Sequence, residues 1–194
     1  LVESSKETFS ALSKIGFQLN LKVANDLLPL HPITSVVLPH VASVLAQGER
    51  TLFDFTIGSA PNSLRTFAHN LTLTDNATLL ELPVLYDYFS DSQRQAAATA
   101  PLAKRWLEID DRIRSAASED FSAMAMLKVV GILNLVSGLE DLRASTELIH
   151  IALSTSHRGI SQAATRKQLG ALAKKGYVTY REFAREWRIW EGSD

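Results

Sequence analysis

The stretch that decides the fold is Ser161–Trp190, "SQAATRKQLGALAKKGYVTYREFAREWRIW". Its first half is built from helix formers, with Ser161 suited to cap the start and Gly176 suited to end it. Leu169 and Leu172 stand three apart, the spacing of a core-facing helical stripe. Two short runs follow, Tyr177–Arg181 and Glu186–Trp190, both rich in aromatic or β-branched residues. The polar turn Glu182–Arg185 separates them, and that pattern predicts a β-hairpin.

Working back from the hairpin, Ser145 is placed to cap a short helix reaching Ser154, and Ser156–Gly159 reads as a turn. Phe121–Val136 is apolar nearly all round, interrupted by Lys128 and Asn134. A stretch of that kind is a buried helix, and it is too short to cross a membrane. No membrane partner is therefore expected. Three helices followed by a hairpin is the order of a winged helix. The expected fold is mainly α: a helical, lid-like subdomain over residues 1–117, then a winged-helix domain over 118–194 with a small C-terminal β-hairpin.

The first part of the chain is less sharply patterned. Phe9, Leu12, Ile15, Leu19 and Val23 predict one helix over residues 3–28, weakened at Gly16. Pro32 suits the first turn of the next helix, and Pro39 should kink it. Val36, Val37, Val41, Val44 and Leu45 would form its inner face. Thr51–Ile57 and Ser63–Asn70 are read as helical. Leu71–Thr74 is open between strand and loop, and Leu79–Phe89 reads as a helix interrupted by Pro83. Ser90 with Gln93 forms a capping box, which predicts a new helix start. From Pro101 onward Leu102, Trp106, Ile109, Ile113 and Ala116 form one apolar stripe. Asp110 and Asp111 are adjacent, so on that helix they diverge and read as a solvated face.

Several chemistries have no sequence support. The chain of 194 residues has a net charge of −1 and no cysteine. It has no phosphate-binding G-x-x-x-x-G-K-[ST] loop, no G-x-G-x-x-G and no G-x-S-x-G. Its five histidines, His31, His40, His69, His150 and His157, include no i, i+4 pair, so no metal site is expected. No catalytic residue is assigned. A chain without cysteines and without a signal-like start is expected in the cytoplasm.

Charge is concentrated at one end. Residues 158–194 carry eight basic side chains against four acidic ones. Arg166, Lys167 and Lys174 fall on the expected outer side of the third helix, and Arg181 and Arg185 on the wing. These five are the candidate nucleic-acid contacts, through phosphate pairing that weakens with salt. The bland alternative is a solvated helix beside a wing that docks on protein. Trp187 and Trp190 favour packing on at least one face of the wing.

Two stretches carry a resemblance. Leu28–Phe55, "LPLHPITSVVLPHVASVLAQGERTLFDF", is similar to a segment of large bacterial P-loop ATPases, with Leu30–Thr34 matching its "LHP-x-T" helix. Gln47–Phe55 matches the block that follows, although Gly48 stands where that family has Asn, and Asp54 where it has a small hydroxyl residue. Leu127–Ser145 together with Leu169–Asp194 resembles the family's later helical and winged segment, ending in "WEGSD". Residues 60–117 match nothing in it. The resemblance implies a stretch of a longer protein, lying after a nucleotide-binding core that would be its partner within the same chain. ATP with Mg would belong to that parent, and no cofactor to this stretch.

The resemblance also implies candidate nucleotide sensors. Arg50 is the arginine of the matched block, and a guanidinium near a γ-phosphate stabilises transition-state charge. Glu49 beside it and His31 are the other candidates. The plainer readings are a helix cap at Glu49, a local ion pair at Arg50 and a packed helix start at His31. The rival function is a DNA-binding regulator whose first helices dimerise or sense a signal. A further alternative is an interaction scaffold, and a homo-oligomer is compatible with each.

Overall fold

A computed structural model describes residues 2–18, 20–45, 48–71, 78–96, 101–138, 142–157 and 159–190. Side chains are described for fewer of them, and those of 48–50 are among the exceptions. The described residues are mainly helical, with one two-stranded antiparallel hairpin near the C-terminus.

The first predicted helix is in fact two, α1 (Val2–Lys14) and α2 (Leu21–Asp26). Gly16 takes φ +88°, a left-handed conformation that no helix can run through, and Asn20 caps the restart by accepting from the Val23 N–H. Helix α3 (Pro32–Val44) carries Pro32 in its first turn and continues past Pro39. It buries Ile33, Val37 and Val41 completely. Then come α4 (Gly48–Ile57) and α5 (Leu64–Asn70), the latter capped by Ser63. Thr72–Thr74 lie outside the described residues.

Helix α6 (Leu82–Ala96) corrects two expectations. Pro83 sits in its first turn, where no N–H is needed, so it begins the helix rather than interrupting it. Ser90 is an interior, buried residue of α6 and does not start a helix. Its hydroxyl is used across helices instead, which outweighs the local capping-box pattern. Helix α7 (Pro101–Ser115) starts at Pro101 as its sequence suggests and buries Trp106, Ile109 and Ile113.

Helix α8 (Phe121–Val136) is the centre of the molecule. Asp120 caps it through the Ala123 N–H at 2.8 Å. It packs against α3, α6 and α7, and also against α9 (Thr146–Ala152), α10 (Gln162–Lys174) and the second strand of the hairpin. Contact on so many sides explains why its sequence is apolar all round. Gly131 lets α7 approach: a Cβ there would stand 2.8 Å from Ile109 Cγ2 and 2.9 Å from Ile113 Cδ1.

Strands β1 (Val178–Arg181) and β2 (Glu186–Ile189) pair with Val178 opposite Ile189 and Arg181 opposite Glu186. Val178, Trp187 and Ile189 are buried and join the same hydrophobic cluster as the helices. The Trp187 N–H donates to the Ala144 carbonyl at 2.9 Å, so the α8–α9 connection adds a strand-like contact to the hairpin edge. Trp187 Nε1 is satisfied by Thr146 Oγ1 at 2.9 Å, and its ring meets Tyr180 at 4.9 Å.

Candidate nucleic-acid interface

Helix α10 buries Thr165, Leu169 and Leu172 and turns its remaining face outward. Arg166, Lys167 and Lys174 are exposed there, as the leucine spacing requires. Arg181 and Arg185 are exposed in the β1–β2 hairpin. Among the described residues none of these five cations has a carboxylate partner. Their neighbours are different: Lys175 is held by Glu119 at 2.6 Å, and Arg188 by Glu186 at 2.8 Å. The basic edge therefore has two kinds of cation, those neutralised within the protein and those left to solvent or to a ligand. Phe183, 88% exposed, stands in the hairpin turn between Arg181 and Arg185. Sequence reading passed over it, although a lone phenylalanine in an otherwise polar turn is visible in the pattern.

His31 lies away from this edge, in a buried polar seam. It caps α3, its Nδ1 accepting from the Ile33 N–H at 3.2 Å. That bond leaves the proton on Nε2, which faces Ser154 Oγ at 3.1 Å and can donate to it. The tautomer is wrong for activating Ser154 as a nucleophile. Burial pushes the His31 pKa down to about 4, so the ring is neutral near pH 7. The neighbouring Leu30 and Leu80 form a parallel bridge, with the His31 N–H donating to the Leu80 carbonyl at 3.0 Å.

Glu81 completes the seam. Its buried carboxylate accepts from the Thr155 N–H and from Thr155 Oγ1, both at 2.7 Å. It thus ties the start of α6 to the turn after α9. His157 is buried close by, with its pKa lowered by burial despite opposing pulls from Glu81 and Asp120. His31 is packed and hydrogen-bonded at the start of α3. Glu49 and Arg50 fall in the first turn of α4, and their side chains lie outside the described residues.

Asp110 corrects another expectation. It is 1% exposed, whereas Asp111 is on the solvated face. Tyr86 Oη and Ser90 Oγ donate to its Oδ1, the latter at 2.6 Å, and Arg114 Nε donates to Oδ2 at 2.8 Å. Burial raises the Asp110 carboxyl, but the bonds from Ser90, Tyr86 and Arg114 outweigh it and hold it below the usual aspartate range. The partners sit on α6 and one turn along α7, so adjacency to Asp111 carried no hint of them.

Among the described residues no group of three or more His, Cys, Asp or Glu could hold a metal, and no helix is long and apolar enough to cross a membrane. Compared with protein-family models, curated proteins and solved structures, the chain finds no match.

Proposed function

We propose that this chain is the helical and winged-helix part of a P-loop ATPase, coupling the nucleotide state of an upstream core to engagement of a partner at the α10–wing edge. The observation that carries the reading is the position of Asn134 on α8. Its amide donates to the Trp187 carbonyl at 2.9 Å and accepts from the Ile189 N–H at 2.8 Å. Helix α8 also packs against α3, which leads into the block containing Arg50. A displacement of α3 and α8 would thus carry the hairpin with it, because β2 is bonded to the helix and not merely stacked on it. Glu49 and Arg50 are the proposed nucleotide sensors, with ATP and Mg bound by the core.

The test uses the full-length protein, whose encoded sequence must contain a phosphate loop before Leu1. Its ATP turnover is expected to respond to duplex DNA, and Arg50→Ala to reduce turnover or nucleotide affinity. Unchanged turnover and affinity in Arg50→Ala would remove the sensor role. An upstream sequence with no phosphate loop would remove the ATPase reading altogether.

A second reading, a DNA-binding winged helix acting without a motor, is favoured by the five cations that have no carboxylate partner among the described residues and by Phe183. Cations on a helix face and wing match phosphate contact, and an exposed aromatic between arginines suits stacking on a base. Duplex binding by this chain alone, falling steeply with salt and weakened by Arg166→Gln with Lys167→Gln, distinguishes it from a protein-docking wing.

A further inference from the structure

The outward face of α10 carries more than its cations. Gly170 stands near the middle of the helix, four residues after Arg166 and four before Lys174. A glycine there weakens a helix relative to alanine. Packing does not demand it, because a Cβ at Gly170 would have no atom within 4 Å beyond its own helix. Four-residue spacing puts Arg166, Gly170 and Lys174 in one row, beside Lys167 and the exposed Ala171. The face thus has cations towards both ends and almost no side chain between them, a shape that admits another backbone closely.

Phe121, 80% exposed, borders this face. Two contacts fix its segment there: Gln168 Nε2 donates to Ser122 Oγ at 3.3 Å, and Lys175 Nζ to Glu119 at 2.6 Å. Gln168 and Lys175 are two turns apart on one edge of α10, so residues 119–122 run along that edge. Ala171 comes next around the helix, then Lys167 and Lys174. The acids of the segment are engaged within the protein, Glu119 by Lys175 and Asp120 as the α8 cap through the Ala123 N–H. An exposed phenylalanine therefore flanks cations that have no carboxylate partner among the described residues. Phe183 repeats the combination in the hairpin turn, an exposed ring between Arg181 and Arg185.

A cation meets a phosphate whether or not the bases of the strand are paired. A phenylalanine ring gains from a nucleic acid only where a base face is open, and in an intact duplex those faces are covered by neighbouring bases. We propose that the α10 face takes a nucleic-acid strand with unpaired bases, its phosphates on Arg166, Lys167 and Lys174 and a base stacked on Phe121. Phe183 supplies a second stacking platform. The inference rests on the nucleic-acid reading of this edge and adds the state of the strand that it prefers.

The experiment titrates the full 194-residue chain into a labelled oligothymidine strand and into a duplex of the same length, at one low salt concentration, and reads anisotropy. The single strand is expected to bind about tenfold more tightly than the duplex. Phe121→Ala should weaken the single strand by about tenfold, the loss of one stacked base, and leave the duplex almost unaffected. Its ring is exposed, so the variant should keep the parent melting temperature. Gly170→Leu fills open space on a helix that favours leucine over glycine, so it should melt no lower than the parent and still bind the single strand more weakly. Arg166→Gln with Lys167→Gln should weaken both probes alike. Tighter binding of the duplex, or single-strand affinity unaltered by Phe121→Ala and Gly170→Leu, overturns the inference and leaves the duplex-binding reading in place. Absence of binding by both probes overturns the two together.

Discussion

Asn134, on the most buried helix of the molecule, uses both ends of its side-chain amide on strand β2, bracketing Trp187 through its carbonyl and Ile189 through its N–H. The three residues are buried, so no water replaces either bond if the amide is removed. Asn134→Leu keeps much of the volume and leaves two backbone groups unpaired. It is expected to destabilise the chain by about 2–4 kcal/mol in urea unfolding. Hydrogen exchange at the Ile189 amide should accelerate in step. Full protection of that amide in the variant would show that the bond adds nothing.

The Asp110 cluster joins α6 to α7, and Asp110→Ala leaves Tyr86 and Ser90 without their buried acceptor. A loss of about 1–3 kcal/mol is expected, kept modest because Arg114 reaches solvent. The pH dependence follows from the depressed carboxyl. Above the usual aspartate value of 3.8 the group is ionised folded or unfolded, and its contribution is fully present. As pH falls below that value the unfolded chain takes up the proton first, and the contribution is lost. Asp110→Asn should flatten the acid limb below that value, and chemical denaturation at a series of pH values reads it.

His31 acts higher on the pH scale. Above the ordinary histidine value of 6.5 it is neutral in both states and has no effect on the pH slope. Between 6.5 and the folded value of about 4, the unfolded chain binds a proton that the folded chain excludes. Stability should therefore fall across that window, by up to about 3 kcal/mol once both limits are passed. His31→Asn keeps an acceptor for the Ile33 N–H and removes the titration. Its stability should be flatter with pH over the same window, and an unchanged slope would assign the acid sensitivity elsewhere.

Gly131 sets the distance between α7 and α8. In Gly131→Ala the new methyl meets Ile109 Cγ2 at 2.8 Å, on a branched side chain with little freedom, and Ile113 Cδ1 at 2.9 Å, at a more mobile tip. Alanine favours the helix itself, by about 1 kcal/mol over glycine. The clash should exceed that gain, for a net loss of about 1 kcal/mol. A more stable variant would mean that the two isoleucines repack freely.

Legibility in the sequence followed the range of the interactions. The hairpin, its turn, the caps at Ser145 and Ser161 and the apolar stripe of α7 rest on neighbours within a few positions, and those were readable. The break at Gly16 was readable as a weak point but not as a reversal, because a positive φ is fixed by the surroundings. Ser90 misled: its capping-box spacing is local, while its actual partners, Asp110 and Arg114, are 20 and 24 residues away. Asp110, Glu81 and Asn134 share that cause, each being a polar residue buried by partners distant in the chain. The outward placement of Arg166, Lys167 and Lys174 followed from two leucines alone.

The division of α10 into an anchored side and an outward side has an evolutionary consequence. Thr165, Leu169 and Leu172 secure the helix, so the exposed positions between them are released from any duty to the core. Drift can rewrite those positions without endangering the scaffold, and so can a randomised library. The same scaffold could acquire new preferences by changing only its outermost atoms.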